Sequence, residues 1–136
     1  MLANGITLGL KKGVETAYTI LAGLKEVPEL GVDPEKVDNT TLADKVKRTE
    51  FGIGDAGDLA YKFKYENTVG SSYRTLRALS DLGTVAAFEE TFPDGTKYQF
   101  SGVCSVKVSG GGVNAAIEFT LSLGLQSDIE VIDPTV

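Results

Sequence analysis

The chain has 136 residues, of which 42% are hydrophobic and 24% charged, with a formal net charge of −6, one cysteine and no histidine. That length predicts one domain, able to bury roughly two thirds of its unfolded surface. The composition excludes an intramolecular disulfide, a histidine-based catalytic triad and the usual His–Cys zinc site, and the acidic balance argues against gripping nucleic acid over the whole surface.

No apolar run approaches the ~18 residues of a membrane span. The start, MLANGITLGLKKG, lacks the basic-then-apolar order of a signal peptide. A single cysteine suits a reducing cytoplasm.

Ile6, Leu8 and Leu10 alternate with Thr7, Gly9 and Lys11, which predicts a half-buried strand; Tyr18 and Ile20 predict a second one paired to it as a hairpin. A long polar segment follows, over residues 27–57. Pro28, Gly31 and Pro34 break its start, Lys45 to Phe51 could extend briefly as a strand, and Gly52, Gly54 and Gly57 punctuate its end. A connection of this length inside a compact domain is usually functional. It carries the apolar handles Val27, Leu30, Val32, Val37, Leu42, Val46, Phe51 and Ile53, so it reads as an arm that orders against a neighbouring copy.

Leu59, Tyr61, Phe63 and Tyr65 then alternate with Ala60, Lys62, Lys64 and Glu66, a half-buried antiparallel strand. Residues 71–82 are predicted as a helix: Ser71 or Ser72 caps it, Tyr73, Leu76, Leu79 and Leu82 form an apolar stripe, and Gly83 ends it. Thr84 to Phe92 and Lys97 to Val108 read as strands joined by a Pro-Asp-Gly-Thr turn. Tyr98, Phe100, Cys104, Val106 and Val108 share one face of the second. After three glycines, Asn114 to Gln126 alternates cleanly, with Ala115, Ile117, Phe119, Leu121, Leu123 and Leu125 on one face, the core side. Ile129, Val131 and Ile132 suggest a short tail strand. The architecture expected is mainly β: a two-sheet β-sandwich or half-barrel of about seven strands with one flanking helix.

The search for chemistry comes back empty. Cys104 sits in phase with Phe100 and Val106, the setting of an inert core thiol. Glu89 and Glu90 are adjacent on a strand and point to opposite faces, so they cannot act as a catalytic pair; they and the Asp55/Asp58 stretch read as solvated. The glycines in FGIGDAG precede a strand, not a helix, so they do not form a dinucleotide-binding turn. DPEKVDN does not match a calcium loop, and no metal or other cofactor is assigned. Lys45, Lys47 and Arg48 face acidic neighbours in sequence, either as a solvated loop or as complementary patches between copies.

The order of these pieces resembles the major tail tube proteins of long-tailed, non-contractile bacteriophages. The hairpin comes first, then the long arm EVPELGVDPEKVDNTTLADKVKRTEFGIGDAGDL, the strand AYKFKYEN, the helix SSYRTLRALSDLG, the PDGT hairpin and GGGVNAAIEFTLSLGLQSDIEV. The resemblance spans nearly the whole chain and rests on no catalytic signature. It implies a single tail-tube domain over residues 1–136, with an assembly arm at about 27–57. It implies homo-hexameric rings stacked into a tube, a relation in fold to type VI secretion tube proteins, and a place in the virion tail after synthesis in the host bacterial cytoplasm. The implied partners are other copies of the chain, a tape-measure protein, tail terminator and distal tail proteins, and genomic DNA that passes through the lumen unbound; no membrane is involved.

Under that resemblance the polar strand faces line the bore. Glu89, Gln99, Ser101, Glu118, Thr120 and Ser122 are the lumen-facing candidates. Lys97 and Lys107 share the phase of Gln99 and fit a passive wall only at the ring edges or beside carboxylates. Two other readings stand beside the tube. One is a monomeric immunoglobulin-like or adhesin-like binding module, which has no use for the arm. The other is a small carrier barrel for an apolar ligand.

Overall fold

The computed structural model describes all residues except 14, 15, 32, 39, 44, 45, 47, 48, 56, 57, 135 and 136; for 33–38 and 49–55 the description is of the backbone. Among the described residues the order is β1 (Thr7–Lys11), β2 (Thr19–Ile20), β3 (Leu24–Glu26), β4 (Asp33–Asp38), β5 (Thr49–Asp55), β6 (Asp58–Lys64), α1 (Ser72–Leu82), β7 (Val85–Thr91), β8 (Lys97–Val108), β9 (Glu118–Leu125) and β10 (Glu130–Ile132).

The chain is mainly β with one flanking helix. Among the described residues eight of the ten strands join in one antiparallel sheet, in the order β2-β1-β7-β8-β9-β6-β3 with β10 beside β8. The eighth, β10, pairs with the first residues of β8, on the edge that β9 uses further along: Val131 faces Tyr98, and Phe119 faces Val108. The two expected layers are two regions of this one curled sheet. The ends of the path show how far it curls. Ile20 pairs with Gly9 on β1, and Leu24 pairs with Phe63 on β6. Four residue steps span at most ~14 Å, so the outer edges of β1 and β6 lie close together. The segment between them crosses the seam, with the Leu21 amide donating to the Leu8 carbonyl and the Lys64 amide donating to the Gly23 carbonyl, both at 2.8 Å.

Inside the curl sits the core. Leu59, Tyr61 and Phe63 from β6 meet Phe119, Leu121 and Leu123 from β9, with Leu8, Leu10, Phe88 and Phe100 from the neighbouring strands. The alternation of apolar and polar residues along these strands selects this face, because successive side chains point to opposite sides. Phe63 and Phe119 stack at 5.1 Å between ring centroids.

The helix closes the opening over β8. Ser71 caps it by accepting from the Arg74 amide at 3.4 Å, and Gly83 ends it in the left-handed conformation at φ 67°. Leu76 and Leu79 are buried, and the Cys104 thiol lies 3.8 Å from the Leu76 carbonyl oxygen, at the helix–sheet contact. Leu82, the fourth position of the expected stripe, is exposed, because the helix ends there and the chain turns away into β7.

Two stretches differ from the sequence reading. The last long strand begins at Glu118, not Asn114. Asn114 has φ 65° and the Ala115 amide donates to the Gly112 carbonyl, so residues 112–115 form a turn and leave Val113 and Ile117 exposed. The segment 27–57 is not an unpaired arm. Its central part is an antiparallel ribbon, β4 with β5, in which Lys36 faces Phe51 and Asp38 faces Thr49. Gly52 and Gly54 are thus strand residues of the ribbon and do not punctuate it.

Candidate assembly surfaces

Every inward strand position has an outward partner, and the outward face is where the sequence candidates gather. Glu89 lies across from Gln99, Ala87 from Ser101, Ser105 from Ser122, and Lys107 from Thr120. Glu118 pairs with Lys64 and Thr120 with Lys62. Residues directly across a ladder point to the same side, so Glu89, Gln99, Ser101, Glu118, Thr120 and Ser122 share one face, opposite the core. The register of β7 is unbroken through Glu89 and Glu90 on both flanks, which places Glu89 outward without a bulge.

The middle of the face mixes the hydroxyls of Ser101, Ser105 and Ser122 with Ala60, Ala87, Gly124 and the valines Val85 and Val103, and its ends are charged. Between Ala60, Ser105, Ser122 and Gly124 no long side chain stands out. At one end the Gln99 amide donates to a Glu89 carboxylate oxygen at 2.7 Å, and Glu130 lies across from Gln99. Tyr18 lies over Gly9 there, with the Lys11 ammonium 4.9 Å from its ring centroid. Partial burial, then Glu89 and Glu130, push the Tyr18 phenol up, so these groups form one acidic cluster. Neither Tyr18 nor Glu130 was singled out from sequence.

At the other end the Lys25 ammonium donates to Glu118 at 2.5 Å, and Lys62 lies 3.7 Å from Glu26. The hydrogen bond from Lys25, with the charges of Lys25 and Lys62, holds the Glu118 carboxyl below the usual carboxylate range. Lys97 is the first residue of β8 and Lys107 the last but one. The two lysines that sat awkwardly in the sequence pattern therefore flank the face, about 30 Å apart along an extended strand.

The ribbon is a second surface. It forms its own two-stranded sheet, separate from the main one. Val27 and Leu30 pack on the chain's own core and root it. Leu42 and Val46, between its strands, are fully or largely exposed. Val37, Phe51 and Ile53 lie on its strands, and Val32 lies outside the described residues. Exposed Ile20 and Val69 line a cleft of about 550 Å³ between the seam and the helix start.

Glu90 is where the sequence reading fails. It is fully buried, not solvated. Its parity with Ala86 and Phe88 on β7 was the available signal. Among the described residues no group of three or more His, Cys, Asp and Glu gathers to hold a metal.

A curled sheet of this topology recurs in solved particles. The chain is similar, with a TM-score of 0.75 and 19% identity over 96% of this chain and 98% of that one, to a subunit of the tail of an empty gene transfer agent particle refined with C6 symmetry. It is similar at TM-score 0.75 and 17% identity, over 98% and 99%, to a chain in the virion of a native gene transfer agent particle. A chain of the six-fold symmetrised anti-feeding prophage baseplate gives TM-score 0.72 and 12% identity over 97% and 95%. Among curated proteins none matches in sequence. The fold is thus one shared with chains of these tail, virion and baseplate structures.

The family of the phage tail tube protein, TTP, matches residues 8–133, and the chain belongs to it. It is a structural component of the virion tail and not an enzyme.

Proposed function

We propose that this subunit closes into hexameric rings that stack into the tail tube, and that the outward sheet face lines the conduit for DNA ejection. The observation that carries the reading is the bare sheet face itself. A wide face of hydroxyls and small side chains rimmed with charge, in a tail tube protein, has a use as the wall of a water-filled bore. The six-fold symmetry of the similar gene transfer agent tail supports six copies per ring.

The mechanism is passive. Unlike surfaces of neighbouring copies meet, so contacts around the ring close while contacts between rings stay open and propagate. Such contacts need well over ~1,000 Å² of buried area. The ribbon supplies some of it: among the described residues neither of its outer strand edges pairs with another strand, and its turn presents Leu42 and Val46. Open edges and exposed apolar residues invite pairing with another chain. A wall whose middle carries hydroxyls and glycine gives phosphates no cationic grip, since each lysine contact would retain DNA by counterion release. The tape-measure, terminator and distal tail proteins are the partners that set tube length and ends.

The test is assembly of the purified full chain. Concentrated protein viewed by negative-stain microscopy is expected to show hollow filaments of uniform width with six-fold end views. A chain that stays monomeric by light scattering at every concentration overturns the reading in favour of a monomeric binding module.

A further inference from the structure

Glu90 is a fully buried acid in a core built from aliphatic and aromatic side chains. Its ladder neighbours are Leu8 on β1 and Tyr98 on β8. From β6, across the interior, comes Tyr61, also fully buried, near enough that phenol and carboxyl act on each other's protons. Neither Glu90 oxygen nor the Tyr61 hydroxyl makes a hydrogen bond of acceptable geometry with any described group. Among the described residues the titratable groups of the core around Glu90 are Tyr61 and Cys104, with Tyr65, Tyr73 and Tyr98 packed against it; none is a cation.

A carboxylate without a cation in such a place is strongly disfavoured, and the group responds by holding its proton. Burial pushes the Glu90 carboxyl up to about 7, and the Tyr61 hydroxyl pulls partly the other way. Burial and the facing carboxyl push the Tyr61 phenol up in turn. The phenol, as a donor, favours the anion, but one neutral donor offsets only part of the cost of burying a charge among apolar side chains.

We propose that Glu90 is a proton-operated latch of the subunit core: protonated, it lets the interior close over β7, and ionised, it is a buried charge with no hydrogen-bond partner that loosens the packing around it. The device stands apart from ring formation, since Glu90 and Tyr61 both point into the core. It still reaches the surface, because β7 carries Ala87 and Glu89 on its outward side.

The sign is opposite to that of an ordinary ion-paired carboxylate. A folded-state pKa above the unfolded value gives stability that is complete below the unfolded value of 4.5 and is lost as pH rises through about 7. The interval corresponds to a change on the order of 100-fold in the unfolding constant.

The experiment is urea unfolding of the full chain, dilute enough to remain monomeric, from pH 5 to 8.5, for wild type and Glu90→Gln. The wild-type unfolding constant is expected to rise on the order of 100-fold more than that of E90Q across this range. Parallel pH profiles for the two proteins overturn the proposal. Carboxyl carbon-13 NMR of the wild type gives a second reading that needs no variant to fold. A Glu90 resonance titrating near 7 supports the latch, and one titrating near 4.5 sinks it.

Discussion

Gly23 accepts the Lys64 amide at 2.8 Å while its own backbone sits at φ 87°, with an added Cβ falling 3.4 Å from the Lys64 Cβ. This one residue lets the chain leave the edge of β1 and reach the edge of β6 in a few steps. The Ser72 hydroxyl donates to the Ala22 carbonyl at 2.7 Å, so the start of the helix is tied to the same seam. The curl that gives the sheet its enclosed core and its bare outward face is held here by backbone geometry, together with buried Leu21 and with Leu24 packed against the core.

Gly23→Ala therefore tests the seam. A side chain in the left-handed region costs ~1–2 kcal/mol, and the near contact with Lys64 leaves little room for relief. Chemical denaturation is expected to show a loss of that size, accompanied by faster amide exchange at Lys64. A midpoint equal to wild type would mean that the seam bears no strain and the curl is held elsewhere.

Phe119→Ala tests the core. Phe119 faces Phe63 across the β6–β9 ladder, with rings 5.1 Å apart and 6° from parallel, and Tyr73 from the helix meets it edge-on at 5.4 Å. Removing the ring opens a cavity where two sheet strands and the helix converge. The expected cost is ~3–5 kcal/mol. Calorimetry showing an unchanged melting temperature would contradict the packing.

Much of this was legible because alternation reports directly on face. The boundaries of β8 and the phase of β6, β8 and β9 follow from polar–apolar alternation, and the 72–82 helix from its period and its serine and glycine ends. What escaped depends on the third dimension. β2 and β3 are two and three residues long and exist because the curl brings them to two different edges; so short a run has no periodic signal. The ribbon β4–β5 carries proline, glycines and charges, which mark turns in a buried sheet but are tolerated where both strands are edges. Glu90 was read by its type against its position: alternation placed it inward with Phe88, and its charge argued the reverse. The six outward candidates were correctly phased together, yet no pattern within one chain says whether that face lines a bore.

Gly102→Ala tests the glycine with the least room for a side chain among the described glycines. Gly102 is buried on β8, and an added Cβ would lie 2.6 Å from the Gly124 carbonyl oxygen and 3.1 Å from its carbon. Both are backbone atoms, so no side-chain rotation relieves the clash, and β8 and β9 must separate. Overpacking of this kind costs ~1–3 kcal/mol. Urea unfolding should register that loss; a neutral result would place the two glycines further apart.

Replacing residues 33–55 by a short glycine–serine linker separates folding from assembly. The ribbon is a sheet of its own, while Val27 and Leu30, which precede it, stay packed on the core. Loop-closure entropy changes slowly, ~0.6 kcal/mol per doubling of length, so shortening the connection has little effect on the domain. Unfolding midpoints within ~0.5 kcal/mol of wild type are therefore expected. Filaments are expected to disappear, because the variant loses two open strand edges and the exposed Leu42 and Val46 at once. Normal filaments from this variant would remove the ribbon from the assembly contacts and leave ring stacking to the curled sheet alone. A folded variant that forms single rings but no tubes would assign the ribbon to the contacts between rings.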